Sequence, residues 1–384
     1  MNGAPRQDGS ERSDRWERWS SDETERVRRS GQWRAPRALA TGTPDTKLDD
    51  GTAVVSFASN DYLGLSQHPA VIAAAHDALE RWGAGSGSAR LIVGARPIHA
   101  ELEAELASWK GEAAGVLFPT GFAANLGVLS VLAGSGTLVC SDELNHASII
   151  DGCRLATGQT AVYRHGDLDE VATLLGNAGA RRVIVVTDTV FSMDGDAADV
   201  EALAELCARH DALLLLDEAH AVLGPAPKAE VLAECAHVRV GTLSKTLGSV
   251  GGFVAASRDL ADLIVNRARP YIFTTASTPA DSGAALAALR LLRSPEGAAL
   301  IARLRSHVDR VAGAAHPSPI VPVLCGDETA ALTAAARLLD RGLLVPAIRP
   351  PTVPPGTARL RVTLSAAHTD EQVDRLLAAL ASLP

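Results

Sequence analysis

The chain has 384 residues, more than one small core organises, so two packed domains are the default. Its 47% apolar and 21% charged residues are ordinary for a soluble globular protein. A net charge of −9 argues against a nucleic-acid partner, and no apolar run reaches the roughly 20 residues that span a membrane.

Residues 1–50 form an N-terminal arm rich in Arg, Glu, Ser and Asp. The first 15 or so are expected to be disordered, and about 16–30 to form a charged helix in an arm lying over the body. No apolar stretch there resembles a secretory signal, and the five cysteines lack CxxC or metal-like spacing, so a cytoplasmic protein with reduced thiols and no metal is expected.

From Val54 short apolar runs alternate with amphipathic stretches. HPAVIAAAHDALERW (68–82) has helical spacing, with Pro69 suited to a first turn. GAGSGSARLIVG (83–94) reads as a glycine-rich connection, and PIHAELEAELASWKG as a helix ended by Gly111. AGVLFPTGFAANLGVLSVLAG (114–134) reads strand, turn, helix. TLVCSD, TAVYRH, RVIVVTDTV, ALLLLDEAH and VRVGTLSK each read as a short strand with a polar end, separated by segments such as ADVEALAELCARH (198–210). This alternation predicts an α/β fold, with a mostly parallel sheet covered by helices over 51–285. Residues 286–384 mix helical stretches with strand-like PIVPVLCG, LLVPAIRPPTV and ARLRVTLSA, and suggest a smaller α+β domain.

Ligands of such sheets sit at the carboxyl ends of the strands. In VGTLSKTLGSVGG (240–252) Lys245 follows a strand end among small residues that admit close approach. A lysine there can form a Schiff base with a carbonyl, but it also reads as a solvated loop residue or a phosphate contact. In LLLLDEAHA (213–221) Asp217 and His220 leave a buried strand. A carboxylate there can keep a pyridine nitrogen protonated, or simply cap the next helix. No phosphate-binding GKT or GKS loop precedes the DEAH string, which sets a helicase aside. His146 in SDELNHASIIDG could stack on a flat ring or bond a helix start. PTGFAANLG (119–127) offers a glycine turn and helix N-terminus for a phosphate. Ser192 follows the apolar strand of TDTVFSMDGDAADV. Jointly these residues predict pyridoxal 5′-phosphate (PLP) held on Lys245.

NDYLGL (60–65), TGFAAN, NHASIIDG, VFSMDGD, DEAH, TLSKTLGS and IRPPTVPPGTARLRVTLSAAH (348–368) together resemble the α-oxoamine synthases, a branch of the fold-type-I PLP enzymes. The similarity runs from about residue 54 to the C-terminus. It implies that Lys245 is the Schiff-base lysine, Asp217 the partner of the ring nitrogen, His220 the ligand of the ring's phenolic oxygen and His146 the stacking histidine. Gly121, Phe122, Ser192 and Thr242 match cofactor contacts, and Thr275 (or Thr274) a contact to the neighbouring subunit's phosphate in a homodimer. Thr352 and Arg361 match substrate-binding positions, and Arg34 is the best match for an N-terminal substrate arginine, with Arg28, Arg29 and Arg37 as rivals. The IRPPTVPPGTARLR string (348–361) implies condensation of L-alanine with pimeloyl-CoA or a pimeloyl-acyl carrier protein, as in biotin biosynthesis. Sister reactions with glycine, serine or another thioester, an aminotransferase, and a non-catalytic relative are the alternatives. One departure is AVLGPAPKAEV after His220, shorter than the family's glycine-rich loop and expected to alter substrate access or dimer contacts.

Overall fold

The computed structural model describes residues 9–383. Helix α1 (Gly9–Arg29) starts earlier than the sequence suggests; residues 1–8 lie outside the described residues. Pairs one helical turn apart, Asp14–Arg18 and Glu25–Arg29, support it. Its described side chains are largely exposed, and the arm is tied to the body beyond it, through Gly31, Trp33 and Arg34.

Strands β1 (Asp45–Lys47) and β2 (Ala53–Ser56) lead to α2 (Pro69–Trp82) and α3 (Pro97–Lys110). Between these helices the glycine-rich connection contains a wide helical turn at Arg90–Gly94 that its glycines did not announce. The alternating region follows in order: β3 (Ala114–Phe118), α4 (Gly121–Leu132), β4 (Thr137–Asp142), α5 (Ala147–Leu155), β5 (Gln159–Tyr163), α6 (Leu168–Gly176), β6 (Arg182–Asp188), α7 (Val200–Arg209), β7 (Leu213–Asp217), α8 (Ala229–Leu232), β8 (His237–Thr242) and β9 (Gly252–Ala256). Next come α9 (Arg258–Arg267), α10 (Arg269–Ile272), α11 (Pro279–Leu292) and α12 (Pro295–Ala312). The chain closes with β10 (Ile320–Gly326), α13 (Glu328–Leu339), β11 (Leu343–Leu344), β12 (Ala347–Ile348), β13 (Ala358–Thr363) and α14 (Asp370–Leu380).

The main sheet has the order β3-β9-β8-β7-β6-β4-β5, and only β9 runs antiparallel to its neighbours. Alternate side chains bury on opposite faces, which explains the near-continuous apolar runs. Cys140, Val185, Leu214 and Leu216 meet α6 and α7 through Val171, Leu203 and Cys207. Val139, Val186, Leu215 and Val240 face α4, α5 and α9 through Val128, Ile149 and Ile264. The fold is α/β, as expected. A separate antiparallel sheet, β10-β13-β12, shares its core with α11, α12, α13 and α14. Helix α11 runs continuously through residues 285 and 286 and packs on α2 and α3. Among the described residues no helix is long and apolar enough to cross a membrane.

Candidate active site

Parallel register aligns the carboxyl ends of the central strands, so that Asp188 at the end of β6 pairs with Asp217 at the end of β7. A cavity of about 240 Å³ opens there. Gly121, Phe122, His146, Ser192, Asp217, His220, Thr242 and Lys245, drawn from five separate strings of the sequence, all line it.

Each is placed by local structure. Lys245 sits in a tight turn after β8, closed by Gly248 N–H donating to its carbonyl at 3.0 Å. Gly248 has φ +58°, and a Cβ there would meet Ser66 N at 2.3 Å, so glycine is required. Gly121 opens α4, where Thr120 Oγ1 accepts from Ala123 N–H at 3.0 Å and caps the helix. The turn packs so closely on β9 that a Cβ at Gly252 would stand 2.4 Å from Thr120 O. His146 caps the start of α5, its ring within 2.7 Å of Ser148 Oγ.

Asp217 is buried but not orphaned: Oδ1 accepts from Ala219 N–H at 2.9 Å and Oδ2 from Asn125 Nδ2 at 2.6 Å. The same amide donates to Ser148 Oγ at 2.9 Å. Lys245 Nζ lies 2.7 Å from His220 Nε2, and His220 Nδ1 lies 2.5 Å from Tyr62 Oη. Burial lowers the Lys245 amine to about 8, opposed by the charges of Asp217 and Asp188. Burial, helped by the Lys245 charge, also holds His220 well below the usual imidazole range. Asp188, whose carboxylate accepts from His146 N–H at 2.7 Å, is pushed well above the carboxylate range by burial and by Asp217.

Arg361 is buried beside this group, donating from Nε to Ser192 O at 2.5 Å, from Nη2 to Asn60 Oδ1 at 3.1 Å and from Nη1 to Thr363 Oγ1 at 2.9 Å. Thr352 and Arg34 meet each other, Nη2 to Oγ1 at 3.1 Å, but neither lines the Lys245 cavity. Arg34 and Arg37 instead line a groove of about 610 Å³ with Trp33 and Arg349. Arg28 lies over the Trp33 ring, and Arg29 pairs with Glu25. Thr275 is exposed and bridges Ala89, away from the cavity of its own chain.

The loop after His220 lies next to this cavity rather than in it. Val222 to Ala226 do not border the Lys245 cavity; they wall a second one of about 530 Å³ that shares Ala219, Gly241 and Thr242 with it. Behind them Glu218 is fully buried between Lys110 Nζ and Arg239 Nη2, each at 2.6 Å.

Asn125, Tyr62, Asp188 and Asn60 were not singled out from the sequence. Asn125 is a lone buried amide in an otherwise apolar helix, and Asp188 ends a buried strand as Asp217 does; both patterns were readable. Tyr62 and Asn60 lie within NDYLGL, but nothing local marks their roles.

An amine, a carboxylate held by an amide, two imidazoles and a capped helix N-terminus thus converge on one cavity. That donor set fits an aldehyde-bearing pyridine ring with a phosphate. The family whose description matches the chain is the class I and II aminotransferases, over residues 52–380. Serine palmitoyltransferase from S. paucimobilis, solved with bound PLP–myriocin, superimposes with a TM-score of 0.87 at 30% identity, covering 98% of each chain. The 8-amino-7-oxononanoate synthase of Anaeromyxobacter sp. (strain K) is 50% identical over 95% of both chains. That of Methylobacterium sp. (strain 4-46) is 49% identical over 87% of this chain and 88% of its own. The chain belongs to the PLP-dependent class I and II aminotransferase family, and within it to the 8-amino-7-oxononanoate synthases.

Proposed function

We propose that the chain condenses L-alanine with a pimeloyl thioester, on coenzyme A or an acyl carrier protein, to give 8-amino-7-oxononanoate, CO2 and the free thiol in biotin biosynthesis. The observation that carries this reading is the convergence of Lys245, Asp217, His220 and His146 on one cavity beside the buried Arg361. Bound PLP supplies the electron sink that lets the Cα–H bond of alanine ionise.

Lys245 holds the cofactor and, once released, its amine takes the Cα proton; an amine lowered to about 8 is suited to both tasks near neutral pH. Asp217, braced by Asn125, keeps the ring nitrogen protonated. With PLP bound, His220 would contact the ring's phenolic oxygen and His146 would face the ring. Ser192, Thr242 and the Gly121–Phe122 turn hold the remaining cofactor groups. Arg361 receives a substrate carboxylate, and Arg34 with Thr352 meets the acyl substrate where the arm reaches the body.

The identity of 50% to curated 8-amino-7-oxononanoate synthases favours alanine. The fit to serine palmitoyltransferase at 30% identity makes serine the comparison substrate. We further propose a cytoplasmic homodimer. Ile92, Val93 and Phe273 are about 70% exposed in the segments joined by the Ala89–Thr275 bridge, apolar surface that a second copy would cover. Thr275 would there face the neighbouring subunit's phosphate.

The test is Lys245→Ala, assayed with alanine, glycine and serine in parallel. Turnover and the visible absorbance of the holoenzyme should both vanish, and the parent protein should prefer alanine. Full activity in the variant would sink the assignment.

A further inference from the structure

Tyr62 has no role in the reading above, yet it is completely buried with its hydroxyl 2.5 Å from His220 Nδ1. A second acceptor, Asn60 Oδ1, lies 3.3 Å from the same hydroxyl. Arg361 fixes that amide by donating to its Oδ1 at 3.1 Å, which leaves a carbonyl oxygen facing Tyr62. The hydroxyl can therefore donate in either of two directions. Burial raises the Tyr62 phenol well above its ordinary range, so it stays a neutral hydroxyl. His220 is held neutral too and carries a single N–H, on one nitrogen or the other.

We propose that Tyr62 is a positioning residue that sets which nitrogen of His220 bears the proton, switching as the cofactor enters. In the arrangement described, Lys245 Nζ lies 2.7 Å from His220 Nε2, and as an ammonium it can only donate. Nε2 is then bare, Nδ1–H donates to Tyr62 Oη, and the Tyr62 hydroxyl turns to Asn60. An acceptor oxygen on the cofactor ring makes the opposite demand on Nε2. The proton must then sit on Nε2, and Tyr62 rotates to donate to Nδ1. The imidazole holds one proton and the tyrosine one in both arrangements, so no charge is created in the buried site. A phenylalanine can neither donate to Nδ1 nor accept from it, and leaves a buried imidazole nitrogen without a partner in both states.

This inference rests on the reading of His220 as the ring-oxygen ligand. The experiment pairs Tyr62→Phe with ¹⁵N-histidine NMR of the parent protein, before and after PLP is added. The His220 signal should show the proton on Nδ1 without PLP and on Nε2 with it. Tyr62→Phe should retain the visible band, bind PLP about tenfold more weakly and lose about tenfold in kcat, with KM for alanine unchanged. One tautomer in both parent states, or a variant with parent affinity and kcat, would overturn the proposal. Should the variant not fold, the NMR of the parent protein decides alone. A parent protein that never acquires a visible band would fail at the cofactor reading instead, which keeps the two failures apart.

Discussion

Replacing Asn125 by aspartate alters one atom pair and tests how Asp217 is held. The Asn125 amide nitrogen stands 2.6 Å from Asp217 Oδ2, and its oxygen has no hydrogen-bond partner, so the residue acts here only as a donor. In Asn125→Asp an oxygen takes the place of that nitrogen. Two carboxylates at this separation repel by about 6 kcal/mol at an effective dielectric constant of ~20. The pair escapes by keeping one shared proton at neutral pH, as coupled carboxylates do. Asp217 is then no longer a dedicated carboxylate for the ring nitrogen. PLP affinity, measured by equilibrium dialysis, and kcat should each fall by about 100-fold, because the loss is electrostatic and buried. Asn125→Ala removes only a hydrogen bond to a charged group, and with Ala219 N–H still bonded to Asp217 the loss should fall at the low end, ~1.5 kcal/mol, or about tenfold. The order matters more than the size: the aspartate variant must be the worse of the two although it is closer in shape. An aspartate variant that binds PLP as tightly as the parent, or better than the alanine variant, would refute the bracing role of Asn125.

Glu218→Gln leaves Lys110 and Arg239 facing each other without their shared buried carboxylate, and should destabilise the fold by ~3–5 kcal/mol in urea unfolding. A loss below ~1 kcal/mol would mean that solvent in the adjoining cavity screens the pair. His237 is raised to about 10 by hydrogen bonding to Cys235 and to Glu112. A pKa raised on folding stabilises fully below the unfolded value of ~6.5 and is lost as pH climbs through about 10. Unfolding midpoints should therefore decline across that window, and His237→Gln should flatten the decline.

The strands legible in the sequence were those buried on both faces. RVIVVTD and LLLLD announce themselves because apolar residues occupy both faces of a covered parallel strand. Helices α2, α3, α7 and α13 were legible from their spacing, several with proline or acidic residues at the start. The start of α1 was misjudged because local i,i+4 ion pairs support a helix without burying it, and a charged composition alone reads equally well as disorder. The turn at Arg90–Gly94 was hidden by its glycines: Gly94 is needed because a Cβ would stand 2.0 Å from Ser88 O, a close approach that composition cannot reveal.

The site was legible to a depth of one layer. Lys245, Asp217, His220 and His146 stand at strand ends or helix starts, where a polar residue interrupting an apolar pattern is conspicuous in one dimension. The pairings that hold them exist only in three. Asn125 finds Asp217 across 92 residues and Tyr62 finds His220 across 158, pairings set by sheet register and by the return of NDYLGL beneath the cavity. Arg34 and Thr352 mark the same limit from the other side. They are 318 residues apart, both match substrate positions through the same family resemblance, and they touch, yet they do so outside the Lys245 cavity. Contact between two substrate candidates outside the cavity is compatible with the proposed acyl substrate, whose two ends need separate contacts. On the proposed reading the strand ends would set the chemistry at the thioester, and the arm and the RPPT segment the choice among acyl chains.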